Sequence, residues 1–253
     1  MLLRAENLAR RFGGVLAVQD VSFELEPGTV HAIIGPNGAG KTTLLNLLTG
    51  IYLPSAGRIF FEERELTGQP PHRFAAAGVG RTFQNLQIFF NMSALENVMA
   101  GRWMHERGSF AAALLRLPQL ARAERRCRAE AQALLELVGL ARWAAAPSEA
   151  MPYGALKRLE IARALAAEPK LLLLDEPAAG LNPTEAREIE RLIRELAARG
   201  ITVVLVEHNM KLVMGVSGHV IVLDDGQKLA EGDPRSVSAD PRVIEAYLGA
   251  GTQ

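Results

Sequence analysis

Apolar and polar residues follow three different patterns along this chain. Near the start they alternate: Val21, Phe23 and Leu25 are interleaved with Ser22, Glu24 and Glu26 until a turn at Pro27-Gly28. That spacing predicts a half-buried strand. Val30-His31-Ala32-Ile33-Ile34 does not alternate and predicts a buried strand. Leu44 to Thr49 follows as a helix that Gly50 would stop. Gly57 to Phe61 predicts a further strand, closed by a turn at Glu62-Glu63-Arg64. From about residue 93 to 165 the chain is rich in Ala, Leu, Arg and Glu, as helices prefer. Within it, Arg122 to Val138 predicts one long amphipathic helix ended by Gly139.

The last third changes again. Leu171 to Leu174 and Thr202 to Val206 are unbroken apolar runs, the pattern of parallel strands covered on both faces. Between them Ile189, Leu192, Ile193 and Leu196 share one helical face. Asn182 is placed to cap that helix, with Pro183 at its first position, Glu185 three residues after the cap and Gly200 at its end. Val220 to Leu223, Asp224-Asp225-Gly226 and Gln227 to Leu229 form a hairpin signal. No internal repeat or low-complexity linker is visible. The expected architecture is one α/β domain with a helical insertion.

The 253 residues suffice for one large domain or two small ones. With 49% hydrophobic and 22% charged residues, the composition is that of an ordinary soluble protein. A net charge of zero argues against a nucleic-acid partner held by phosphate neutralisation. A single cysteine, Cys127, allows no internal disulfide and suits a reducing compartment. The N-terminal residues show no secretory cleavage pattern. The apolar run Phe110 to Leu117 contains Arg116, stops at Pro118 and falls far short of the roughly 20 residues of a membrane span. A cytoplasmic protein is expected, with any membrane association made through partners.

Candidate chemistry starts at Gly35-Pro36-Asn37-Gly38-Ala39-Gly40-Lys41-Thr42-Thr43, which fits G-x-x-x-x-G-K-[ST] between a predicted strand and a predicted helix. Glycines let backbone N–H groups turn toward phosphates, and the helix N-terminus adds partial positive charge. Lys41 can reach the outer phosphates, and the Thr42 hydroxyl can ligate Mg²⁺. A chance glycine turn would lack both flanks. The chain is therefore expected to bind a nucleoside triphosphate with Mg²⁺.

Leu171 to Leu174 ends in Asp175-Glu176-Pro177. A carboxylate at the end of such a strand belongs beside the Mg²⁺, which assigns Asp175, and Glu176 at the strand tip can polarise an in-line water. Gln84 and His208 each follow a strand toward the same edge, where strand character at Gln84 gives way to helix. His31, His72, His105 and His219 lack such placement and are expected to be structural or exposed.

Together these motifs resemble the ATPase subunits of ABC transporters, over essentially the whole chain. Gly35 to Thr43 resembles the first nucleotide motif, Gln84 the Q-loop, Leu171 to Glu176 the second nucleotide motif, Ala179-Gly180-Leu181-Asn182 the D-loop and His208 the switch histidine. Phe12 resembles the aromatic that stacks on adenine, with modest selectivity between bases. The resemblance implies a P-loop NTPase (RecA-like) α/β core with an antiparallel β subdomain and an inserted α-helical subdomain. The core would be residues 1–84 and 166–253, the insertion residues 85–165. It implies ATP contacts from Phe12, Asn37, Gly38, Ala39, Gly40, Lys41, Thr42, Thr43 and His208. Mg²⁺ contacts would come from Thr42, Gln84 and Asp175, and catalysis from Glu176, His208 and Lys41.

The family signature falls at Met151-Pro152-Tyr153-Gly154-Ala155, where Pro152 and Ala155 depart from the usual Leu-Ser-Gly-Gly-Gln. The Pro-Tyr-Gly form, Leu159 to Leu165, Val206 to Met210 and the ending Val243 to Leu248 are similar to ATPases of branched-chain amino-acid importers. In the family two ATPases sandwich two ATP molecules head to tail, so Tyr153, Gly154 and Ala155 would donate to the γ-phosphate held by the opposite subunit. Pro152 offers neither hydroxyl nor N–H. Either one hydrogen bond is lost, at about 1.5–3 kcal/mol, or backbone donors and water replace it.

The resemblance further implies a second ATPase subunit, identical or different, and transmembrane permease subunits that hold the protein at the inner face of the membrane. A periplasmic or extracellular substrate-binding protein would act indirectly. Leu86, Ile88, Phe89, Phe90, Met92, Leu95 and Trp103 are either permease contacts or core beneath the helices, with Phe89 and Phe90 expected to be exposed. Urea or amide importers share this ATPase type. A lipopolysaccharide-export ATPase would keep Ser-Gly-Gly in place of Pro152-Tyr153. A soluble ABC ATPase acting on nucleic acid would carry a long coiled-coil insertion or two ATPase domains, and neither is present.

Overall fold

The computed structural model describes residues 1–102 and 118–249. Trp103, His105 and the apolar run to Leu117 lie outside the described residues. The chain divides into two compact units, Met1–Arg81 with Lys170–Gln253, and Thr82–Pro169. Residues 82–84 and 166–169 thus go with the helices, whereas the family resemblance implies a helical insertion of residues 85–165.

The first unit holds every strand named here: β1 (Leu3–Phe12), β2 (Val15–Leu25), β3 (Val30–Ile34), β4 (Ala56–Phe61), β5 (Arg64–Glu65), β6 (Val79–Arg81), β7 (Leu171–Asp175), β8 (Thr202–Val206), β9 (His219–Asp224) and β10 (Gln227–Gly232). One sheet is antiparallel, in the order β2-β1-β4-β5. The other runs β10-β9-β3-β8-β7-β6, with β9, β3, β8, β7 and β6 parallel and β10 antiparallel at the edge. All five residues of β3, of β7 and of β8 are buried, as their unbroken apolar runs require. Asp225 and Gly226, both at positive φ (44° and 75°), turn β9 back into β10.

Helix α1 (Lys41–Leu48) follows β3, and α2 (Pro71–Ala77) precedes β6. In the second unit lie α3 (Ala94–Gly101), α4 (Pro118–Leu137) and α5 (Tyr153–Leu165). The first unit resumes with α6 (Pro183–Ala198), α7 (Met210–Val216), α8 (Pro234–Ser238) and α9 (Pro241–Gly249). Asn182 caps α6 reciprocally with Glu185, and Ile189, Leu192, Ile193 and Leu196 are its buried face, as the sequence predicts. Leu3, Leu25, Ile33, Leu44, Phe74, Leu173 and Val204 belong to one core of the first unit. No helix among the described residues is long and apolar enough to cross a membrane.

Two predicted boundaries shift. The long helix starts at Pro118, before Arg122. Gln84 opens no helix: residues 82–92 lack regular structure, and α3 begins only after Ser93, which caps it in a box with Glu96. Ser93 supplies the side-chain acceptor for the first-turn amides of α3.

Candidate nucleotide site

Because β3, β6, β7 and β8 are parallel, their C-terminal ends share one edge of the sheet. The glycine loop leaves β3 there, Arg81 ends β6, Asp175 ends β7, and His208 follows β8. Open parallel sheets bind ligands at this edge.

Backbone geometry sets the loop. Gly40, at φ 94°, caps α1 without a side-chain hydrogen bond, and a Cβ there would lie 2.4 Å from the Ala17 carbonyl oxygen. The first helical bond runs from Leu44 N–H to the Gly40 carbonyl, 2.8 Å. The N–H groups of Lys41, Thr42 and Thr43 precede it, the arrangement that receives phosphate. Asn37, Gly38 and Thr42 are exposed on the rim, while Ala39 is buried and its carbonyl accepts from Gly226 N–H.

Lys41 is buried across the loop, its Nζ donating to the Gly35 and Pro36 carbonyls, each at 2.8 Å. Burial lowers its pKa, partly offset by the charges of Glu176 and Asp175. A lysine already stripped of much of its water is well prepared to meet an anion.

Asp175 is buried, and Arg81 Nη2 donates to its Oδ2 at 3.0 Å. Glu176 takes a positive φ of 50°, uncommon for a residue with a Cβ, and His208 Nε2 lies 3.1 Å from its Oε1. Glu207, also buried, receives Ala178 N–H on one oxygen and His208 and Asn209 N–H on the other. It ties the chain after β7 to the chain after β8. Phe12 is partly exposed at the end of β1, with Tyr52 edge-on at 5.1 Å and the Arg10 guanidinium 4.5 Å above its ring. Tyr247, from α9, lies against the Gly35 backbone, and its burial raises its pKa.

The remaining candidates are in the second unit. Pro152 caps α5 with no side-chain bond, and Tyr153 is 46% exposed. Ala155 fits less well as a donor: its side chain is buried and its N–H goes to the Pro152 carbonyl at 2.9 Å. The N–H groups of Tyr153 and Gly154 precede that bond. Helix α5 also holds the segment of Gln84, through Lys157 Nζ on the Gln84 carbonyl (3.4 Å) and Glu160 Oε1 accepting Phe83 and Gln87 N–H. Phe89 and Phe90 are each 46% exposed, whereas Ile88 and Leu95 are buried. Asn97 anchors Phe89 through both its N–H and its carbonyl.

Sequence reasoning missed Arg81, Glu207, Arg10 and Tyr247. The first three stand beside or within quoted motifs, and Tyr247 lies within the ending Val243 to Leu248, but nothing local marked their partners.

Residues 18–179 match the sequence model of the ABC transporter family. The chain belongs to that family. Residues 227–252, which include Tyr247, match a second model described as branched-chain amino acid ATP-binding cassette transporter. The high-affinity branched-chain amino acid transport ATP-binding protein BraF of Pseudomonas aeruginosa is 44% identical over 249 residues, 98% of each chain. LivG of Salmonella typhimurium, described in the same words, is also 44% identical over 98% of each. A crystal structure of the ADP conformation of an ABC transporter cassette superposes with a TM-score of 0.84 at 34% identity, covering 98% of both chains. The ABC ATPase is thus the fold of this protein, with the mixed sheet and helical unit that its motifs imply.

Proposed function

We propose that this protein is the ATP-hydrolysing subunit of an importer for branched-chain and similar hydrophobic amino acids. One observation carries the catalytic reading: Glu176 and His208, from neighbouring strand exits, meet at 3.1 Å on the sheet edge that carries the Lys41 loop. The names of BraF and LivG support the cargo.

ATP is the substrate. Its phosphates would lie on the N–H groups of Gly38 to Thr43, with Lys41 against the outer phosphates and Phe12 beneath the base. The Thr42 hydroxyl and the Asp175 carboxylate are hard oxygen donors of the kind Mg²⁺ takes, and Gln84 is the further donor that the family resemblance implies. When bound, Mg²⁺ supplies charge neutralisation on the phosphates. Glu176 polarises the attacking water, and the His208 ring, 3.1 Å away, orients the carboxylate. His208 in turn senses the γ-phosphate. The start of α5, where Tyr153 is exposed, would present the Tyr153 and Gly154 N–H groups to the γ-phosphate of a second ATPase subunit, and the surface at Phe89 and Phe90 would meet the permease. That permease holds the protein at the cytoplasmic face of the membrane.

Purified protein reconstituted with its permease should release phosphate in a Mg²⁺-dependent way that Lys41→Ala abolishes; release that survives the substitution overturns the site. Vesicles carrying the binding protein as well should accumulate labelled leucine, isoleucine or valine on ATP addition. Phosphate release without such uptake would overturn the cargo alone.

A further inference from the structure

Arg81 is as buried as the carboxylate it touches: the side chains are 6% and 4% exposed. It ends β6, whose register places it beside Leu173 of β7, so its side chain reaches along the strand toward Asp175. Its two terminal nitrogens go in different directions. Nη2 donates to Asp175 Oδ2 at 3.0 Å; Nη1 donates to Asn46 Oδ1 at 2.6 Å and approaches Thr49 Oγ1 at 3.4 Å. Asn46 lies on α1 and Thr49 caps its end, and the first turn of that helix carries Lys41 and Thr42. The guanidinium therefore links the carboxylate at the end of β7 to the helix that presents the Thr42 hydroxyl.

We propose that Arg81 is a positioning residue for the divalent cation that accompanies the nucleotide, fixing Asp175 relative to α1 and thereby setting how strongly the site holds that cation. A planar guanidinium makes two anchored contacts from a rigid fork, which a lysine ammonium cannot reproduce. Outer partners of this kind orient metal-binding carboxylates, and their loss typically costs about 10–100-fold in metal affinity. The inference rests on the proposed nucleotide site, so its test separates the two.

The full-length protein is titrated with a fluorescent, non-hydrolysable ATP analogue in EDTA and in excess Mn²⁺. Arg81→Lys is expected to bind within about twofold of wild type in EDTA but to lose about tenfold of the Mn²⁺-promoted gain in affinity. Asn46→Ala, which removes one anchor and keeps the guanidinium, is expected to lose a smaller part, about threefold. Variants whose affinities in EDTA and Mn²⁺ change by the same factor, or not at all, overturn the proposal and leave a merely structural ion pair. If Arg81→Lys does not fold, the Asn46→Ala titration decides by the same criterion. A wild-type protein indifferent to Mn²⁺ would refute the nucleotide-site reading itself.

Discussion

His208 Nε2 lies 3.1 Å from Glu176 Oε1, an imidazole after β8 closing on a carboxylate after β7. The backbone between the strands reinforces this contact. Glu176 N–H donates to the Val206 carbonyl at 2.9 Å, and Glu207 gathers Ala178, His208 and Asn209 N–H groups. The pair is therefore held from both sides, in the manner of a base and its orienting group.

Glu176→Gln keeps the shape of that contact and removes the charge. The variant should still bind MgATP, while turnover falls by about 10²–10⁴-fold. Single-turnover phosphate release measures this, and near-normal turnover would remove Glu176 from its role.

Gly40→Ala tests the loop. At φ 94° an alanine is strained, and its Cβ would meet the Ala17 carbonyl oxygen at 2.4 Å, a backbone atom that has little room to yield. Stability should fall by about 1–3 kcal/mol, together with nucleotide affinity. Urea unfolding and a nucleotide titration report the two effects. Wild-type values in both would mean the loop has another conformation in solution.

His31 provides a pH test at the opposite end of β3. It is buried, Glu26 N–H donates to its Nε2 at 3.2 Å, and the His219 ring lies 5.6 Å away with Glu231 behind it. Burial first, then the charge of His219, pushes its pKa down to about 4. The unfolded chain binds that proton near the ordinary value of 6.5, so it holds more protons than the folded chain between the two values. The contribution of neutral His31 is complete above this window and is lost as pH falls through it, by about 3 kcal/mol at most. Urea midpoints from pH 7 to 4.5 should fall less steeply in His31→Gln than in wild type. Equal slopes would assign the acid sensitivity to other groups.

The features legible beforehand are those whose cause is local. The glycine loop, the leucine strand ending in Asp175-Glu176, the Asn182 cap and the Asp225-Gly226 turn each need only a few neighbouring residues. Their periodicity and backbone preferences are written in the chain, and their motifs carried the fold class with them. Boundaries shifted where a local competitor was overlooked, as at Ser93, whose capping box delays α3 well beyond Gln84.

By itself the chain determined its strands and helices, its phosphate loop and the residue types of its chemistry, because hydrogen-bonded turns and apolar faces form over short spans. Tertiary structure alone decided which of those residues meet. Arg81 and Asp175 are separated by 94 positions, and only the parallel pairing of β6 with β7 brings the charges together. Arg10 over Phe12 and Tyr247 against Gly35 likewise depend on packing. A buried charge or ring selects its partner by proximity in space, and spacing along the chain does not record it.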